Sequence, residues 1–330
     1  MSRIITKKKI AIVFTGGTIS MTIDKATNAA APSLNSEDIM SLVRHIRDFA
    51  DVDLIDFSAI PGPHMTPEKM MELSKVVQNL CKKDDISGVV ITHGTDNLEE
   101  TAFLLDLTNK TEKPIVFTGS MRNASELGYD GPSNLASAIL TAISDDSKNR
   151  GVLVVLNDEI NAAREVTKTH TMSLDTFKSL EFGPLGIVDS NDVIYYRSQT
   201  FEPMHILSES INPDVHLLKV ASGMDSTLLN YLTEKKVAGI VIESMGRGNV
   251  PPKMMDGIKN ALSHNIPIIL VSRTPLGRTM PSYGYSGGGL DLKNAGVVLA
   301  RNLNGQKARI ALMLAVSKSK SVNEISDIFS

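Results

Sequence analysis

From end to end of this 330-residue chain, short runs rich in β-branched residues alternate with longer stretches of helical period. No other feature constrains the fold as strongly. Strand candidates lie at 9–14, 52–57, 88–92, 114–118 and 151–157, then at 216–221, 238–243, 267–272 and 296–300. Apolar runs of this kind suit parallel strands buried on both faces, which need a crossover between neighbours. The expectation is an α/β protein of two doubly wound domains, a larger N-terminal parallel sheet and a smaller C-terminal parallel sheet, each covered by helices. The stretch from Pro67 carries the helical pattern plainly. Thr66 is placed to cap it, Pro67 suits its first turn, and Met70, Leu73, Val77 and Leu80 form one stripe. Between Tyr196 and Asp214 the alternation lapses into a polar stretch containing Pro203 and Pro213. The expected organisation is therefore an N-terminal domain at 1–205, a linker at 206–214 and a smaller domain at 215–330.

A hydrophobic content of 42% can fill two cores. The net charge of −3, with both signs interspersed, lacks the footprint of a nucleic-acid or anionic-membrane binder. Cys81 is the sole cysteine, which excludes an internal disulfide and fits a reducing compartment. Apolar runs such as 151–156 and 266–271 fall far short of the roughly 18 residues of a membrane span. The basic start runs straight into a strand with no small-residue cleavage site, so the expected location is the cytoplasm. Short-period repeats and low-complexity segments are absent from the sequence.

Two strings place threonines at the ends of apolar β-type runs, where open α/β sheets build their sites: Thr15-Gly16-Gly17-Thr18-Ile19 and His93-Gly94-Thr95-Asp96. The first lacks both the three spaced glycines of a dinucleotide loop and the Gly-Lys-Ser/Thr ending of a Walker loop. What its glycines supply is room for a small substrate to approach Thr18. A tight turn with the hydroxyl bonded to its own backbone accounts equally for the string taken alone. In the second, Glu99 follows Asp96 by three residues, so Asp96 is expected to cap a helix, a position that also suits holding a substrate ammonium. His93 reads as a structural histidine, because immediate neighbours on a strand face opposite sides.

These strings resemble the two signature motifs of the bacterial-type L-asparaginases. The resemblance continues through TGSMR ending at Arg122, DGPSNL at 130–135, GVLVVLND at 151–158, VTKT at 166–169 and NGQKAR at 304–309, and so covers essentially the whole chain. It implies hydrolysis of asparagine, and of glutamine more slowly, to the acid and ammonia through a threonine-bound acyl-enzyme, with no metal or organic cofactor. Residue by residue, it makes Thr18 the first nucleophile, with Thr95, Asp96 and Lys168 as the second catalytic group. A nearby cation such as Lys168 favours the ionised form of a hydroxyl that is otherwise inert at neutral pH. Without the resemblance, Lys168 reads as a solvated loop charge. The substrate-binding positions implied are Gly62, Pro63, Gly94, Thr95, Asp96 and Ser120. A second subunit usually completes the pocket, and here the matching residues are Asn249, Tyr283 and Tyr285. A homo-oligomer, dimer or tetramer, is implied with them.

The chain departs from that pattern in three places. Residues 24–33 contain no tyrosine where many relatives carry an activating one, and Ala30 stands at its place. The substrate-carboxylate loop reads Gly62-Pro63-His64, without the usual hydroxyl and amide side chains. Asn97 replaces a common threonine. Tyr283 or Tyr285 could restore the missing hydroxyl, and residues 287–289 read equally as a flexible surface loop or as part of the site. Alternatives to the asparaginase reading are a related amidase or glutaminase with another amide substrate, and a weakly catalytic protein that binds an amino acid.

Overall fold

The computed structural model describes residues 7–300, 302–318 and 321–329, in two compact units, Met1–His205 and Ile206–Ser330. In the first unit the chain forms β1 (Lys8–Gly16), β2 (Met21–Asp24), β3 (Ala29–Pro32), α1 (Ser36–Ser41), β4 (Ala50–Ile60), α2 (Pro67–Cys81), β5 (Ile86–Thr92), α3 (Leu98–Thr108), β6 (Ile115–Thr118), α4 (Gly131–Ile143), β7 (Val152–Leu156) and β8 (Glu159–Ala162). After these come β9 (Thr167–Lys168), β10 (Phe177–Lys178), β11 (Gly186–Asp189) and β12 (Asp192–Tyr195).

Eight of these strands make one sheet in the order β12-β11-β8-β7-β6-β5-β1-β4. From β7 to β4 all neighbours are parallel. Chain order reverses at β1: the chain passes first to β4 on one side and then to β5 on the other. The carboxyl ends of β1 and β5 therefore form the switch-point crevice of an open α/β sheet. Ile10, Ile12, Phe14, Val90, Val116, Leu153 and Val155 pack with Ile39 and Met40 of α1 and Leu135, Ala138 and Ile139 of α4. The alternate strand residues face the other way, and α2 and α3 lie against β5 and β7. Thr66 caps α2 by accepting from the Lys69 amide, and Met70, Leu73, Val77 and Leu80 are buried, as the spacing predicts.

The N-terminal sheet is parallel as expected from β7 to β4, and departs from that only at one edge, where β8, β11 and β12 run antiparallel. The cause is a two-residue turn after β7. Asn157 and Asp158 both adopt positive φ, at 51° and 60°, the geometry that folds a strand straight back on its neighbour. Reading 151–157 as one buried run conceals that turn.

In the second unit, β13 (Val215–Lys219), α5 (Thr227–Glu234), β14 (Gly239–Ser244), α6 (Met255–Ser263), β15 (Ile268–Ser272), α7 (Gly289–Ala295), β16 (Val298–Leu299), α8 (Gly305–Lys318) and α9 (Val322–Phe329) follow in turn. The four strands form a parallel sheet in sequence order. Ile240, Ile242, Ile268 and Leu270 pack with Leu229, Ile258 and Leu292. Residues 287–289 are not the flexible surface loop that three glycines suggest. All three are buried, and a Cβ on Gly287 or Gly288 would fall 2.4 Å from the Val250 or Tyr283 carbonyl oxygen. The glycines are there because backbone packs on backbone. No described helix is long and apolar enough to cross a membrane.

Candidate active site

Where the strands end and their loops diverge, side-chain hydroxyls continue the hydrogen bonding of the sheet. Ser58 Oγ donates to the Thr15 carbonyl, Thr15 Oγ1 to the Thr92 carbonyl and Thr118 Oγ1 to the Val155 carbonyl, each at 2.8 Å. The His93 amide donates to the Thr118 carbonyl at 2.8 Å. Four departing loops are thereby held at fixed spacing along the crevice.

Glycines then let three of those loops touch. A Cβ on Gly17, which has φ +82°, would fall 2.4 Å from the Gly94 amide nitrogen, and one on Gly94 would fall 2.6 Å from Gly62 Cα. Side chains are excluded here by backbone contact. Gly119, on the fourth loop, sits directly over the His93 carbonyl, where its Cβ would lie 2.5 Å away. Thr18 opens a short 3₁₀ turn, Thr18–Ser20, immediately after Gly17. Ser20 Oγ donates to the Gly17 carbonyl at 2.9 Å and closes that turn. The Thr18 hydroxyl has no hydrogen-bond partner among the described residues and remains partly exposed.

Thr95 is buried, and Lys168 Nζ donates to its Oγ1 at 3.0 Å and to Asp96 Oδ1 at 2.8 Å. Lys168 is placed by the short β9–β10 hairpin, in which it pairs with the buried Phe177. Next to it, Thr167 Oγ1 donates to Glu99 Oε1 at 3.1 Å, tying the hairpin to α3. The Lys168 side chain is 16% exposed and that of Asp96 64%, so the carboxylate faces outward while the ammonium is shielded. A cavity of about 270 Å³ opens beside them, lined by Asp96, Lys168, Thr169, His170 and Thr171.

Asp96 is not the helix cap that its spacing to Glu99 suggests. The cap position of α3 belongs to Asn97, and no side chain caps the helix there. Both partners of the expected box are engaged elsewhere, Asp96 with Lys168 and Glu99 with Thr167. Asn97 Nδ2 donates to the Met65 carbonyl at 3.2 Å, and its Oδ1 lies 3.1 Å from where a Gly62 Cβ would be. The amide therefore fills the space that a side chain at position 62 would need. Pro63 and His64 are exposed in the 3₁₀ turn Gly62–His64.

His93 is fully buried beside Phe117 and shares its Nδ1 hydrogen with the Gly94 carbonyl at 2.8 Å. Because a carbonyl only accepts, Nδ1 carries the proton and Nε2 is left a bare acceptor. Burial pushes its pKa down to about 4, which keeps the ring neutral. His93 holds the loop and does not reach the hydroxyls, in line with the structural role its position suggests. Thr92 Oγ1, His93 Nε2 and Asn97 Oδ1 are buried without a partner among the described residues. Unsatisfied polar atoms are costly and uncommon in native interiors, and here three cluster around one loop.

Ser120 is buried with its hydroxyl committed to the Arg122 carbonyl at 2.7 Å, so it closes its own loop. Ala30 lies in the β2–β3 hairpin opposite Ile23. The hairpin tip is stiffened by Asp24, whose carboxylate accepts from the Ala26 and Thr27 amides and from the Thr27 hydroxyl. Those bonds hold the Asp24 pKa below its ordinary value. Asn249, Tyr283 and Tyr285 belong to the second unit. The two tyrosine rings lie 5.6 Å apart and are 43% and 56% exposed, and Asn249 Oδ1 is buried without a partner among the described residues. Tyr129, which sequence alone did not single out, donates its hydroxyl to the Ile19 carbonyl at 2.6 Å.

The family model "Asparaginase, N-terminal" matches residues 9–201, and "Glutaminase/Asparaginase C-terminal domain" matches 214–329. An L-asparaginase of Bacillus licheniformis is 34% identical over 313 residues, covering 95% of this chain and 97% of that one. A Haemophilus influenzae protein named "Probable L-asparaginase periplasmic" is 36% identical over 329 residues, covering 97% and 92%. The crystal structure of "Probable Cytoplasmic L-asparaginase" from Campylobacter jejuni superposes with a TM-score of 0.89 at 33% identity, covering 98% of this chain and 99% of that one.

Proposed function

This chain belongs to the asparaginase family, and from that premise we propose that it hydrolyses L-asparagine to L-aspartate and ammonia, with weaker action on glutamine. The observation that carries this reading is the Lys168 ammonium set against both Thr95 Oγ1 and Asp96 Oδ1 beside the loop that presents Thr18. The Thr18 hydroxyl attacks the side-chain amide carbon. The carbon–nitrogen bond breaks, ammonia leaves with the proton, and the aspartyl group remains as an ester on Thr18 until water cleaves it. Lys168 lowers the cost of an ionised Thr95 hydroxyl, and this pair takes up and returns the protons. Asp96 orients Lys168 and faces outward to hold the substrate ammonium. Backbone amides beside Thr18 and Thr95 receive the oxyanion, a contribution often worth about 3 kcal/mol per donor. Gly62, Pro63, Gly94 and Ser120 shape the pocket through backbone, since none of them offers a free side-chain hydroxyl or amide.

The enzyme acts as a homo-oligomer, with Asn249, Tyr283 and Tyr285 completing the pocket of a second subunit. Their support is the resemblance together with the exposure of both rings. The domain plan is a catalytic unit at 1–205 joined by 206–214 to a smaller unit at 215–330. A cytoplasmic location is proposed from the name of the Campylobacter jejuni structure. The Haemophilus influenzae relative is named periplasmic, so fractionation of the native cells is the deciding measurement.

Ammonia release from L-asparagine and L-glutamine at equal low concentration tests the activity. Faster release from asparagine is expected, because a pocket sized for the shorter side chain misplaces the longer amide. Equal or reversed rates would overturn the assignment.

A further inference from the structure

We propose that Tyr129 is a positioning residue for Thr18, acting through its hydrogen bond to the carbonyl of the next residue, Ile19. The proposal rests on the reading of Thr18 as nucleophile. Thr18 stands in a turn of only three residues, so the direction of its hydroxyl depends on what fixes that turn. On one side the Ser20 amide and hydroxyl hold the Gly17 carbonyl, at 3.0 and 2.9 Å. On the other, the Tyr129 hydroxyl holds the Ile19 carbonyl at 2.6 Å.

The tyrosine is built into its place. Gly131 leaves room for the phenol, since a Cβ there would fall 2.4 Å from the Tyr129 oxygen. Asp130, beside it, accepts from the Met121 and Arg122 amides and from Asn134 Nδ2 of α4, which fastens the loop to a buried helix. The same loop grips the hairpin that follows the turn: the Ala124 amide donates to the Met21 carbonyl, and Ser125 Oγ accepts from the Ile23 amide. Burial and the neighbouring Asp130 carboxylate push the phenol pKa up, so it remains a protonated donor at any working pH. Ala30 offers the hairpin no hydroxyl, and the hydroxyls it does carry, on Thr22 and Thr27, are bonded to Ser33 and Asp24. Residues locked by their own supporting contacts make the most exact presenters of a reacting group.

Tyr129→Phe removes only the hydroxyl, and Gly131→Ala displaces the phenol while keeping it. Both are to be assayed against wild type and Thr18→Ala, well below their melting temperatures. The expected result is a fall in kcat of about tenfold or more in both variants, with KM within about twofold, an unchanged pH profile and melting within about 5 °C of wild type. An unshifted pH profile separates positioning from proton transfer. A Tyr129→Phe enzyme with kcat within twofold of wild type, while Thr18→Ala is dead, overturns the proposal and leaves the nucleophile reading intact. If Tyr129→Phe loses turnover only by unfolding, Gly131→Ala decides, and normal turnover there overturns the proposal. Turnover by Thr18→Ala would remove the nucleophile reading and this proposal with it.

Discussion

Lys168 Nζ lies 3.0 Å from Thr95 Oγ1, across 73 residues of sequence. A hydroxyl and an ammonium at that distance, with a carboxylate on the other side of the cation, make a proton-transfer pair whose charge is balanced before substrate arrives. Lys168→Met keeps the length of the chain and deletes the charge. Its kcat should fall by roughly 10²–10⁴, the range of a lost acid–base group, with the fold retained by circular dichroism. Lys168→Arg should not restore it, since a planar fork cannot replace a compact point charge. Turnover within tenfold of wild type in Lys168→Met would remove the lysine from the mechanism.

Gly62 and Asn97 should behave as one unit. A serine at 62 clears the Gly94 backbone at 3.5 Å but meets Asn97 Oδ1 at 3.1 Å. Gly62→Ser alone should lower kcat/KM about tenfold, and adding Asn97→Thr should return it to wild type or better. Contacting residues depart from additivity in this way. Additive effects of the two changes would show that the pair is not coupled.

Much of this was legible in the sequence, and the reasons differ by element. All nine strand candidates form, and α2 follows its cap and stripe, because apolar period and capping are local signals. The β7–β8 turn hid in two residues, Asn157 and Asp158, whose side chains also suit an ordinary strand end. The Asp96 cap failed because spacing cannot show that Lys168, far along the chain, claims the carboxylate first. Tyr129 carried no signal at all: its partner is a backbone carbonyl 110 residues away, and carbonyls look alike in any sequence. Asn97 was noted only as a departure from the motif, and its contact with Gly62 needed the fold to bring two loops together.

Acid should weaken the fold through His93. Its folded pKa is about 4, against about 6.5 for an unfolded histidine. Between those values the unfolded chain holds a proton that the folded chain does not. Stability from this group is therefore complete above about pH 6.5 and is lost as pH falls toward 4, by on the order of 3 kcal/mol. Denaturant unfolding across that window should show the loss, and His93→Gln should flatten the slope by nearly one proton. Identical slopes in variant and wild type would contradict the assignment.

Hydrolysis through Thr18 requires that an aspartyl ester forms on its hydroxyl. Rapid acid quenching of enzyme with L-asparagine, followed by intact and peptide mass spectrometry, tests it directly. Wild type, quenched within its first turnover, is the form to test first, with Thr95→Ala and Thr18→Ala beside it. Residues of one catalytic unit fail together, so both variants should lose nearly all steady-state turnover. The expected result is a mass gain of one aspartyl residue on the peptide containing Thr18, absent from Thr18→Ala. An adduct on another residue, or near-normal ammonia release by Thr18→Ala, would contradict it.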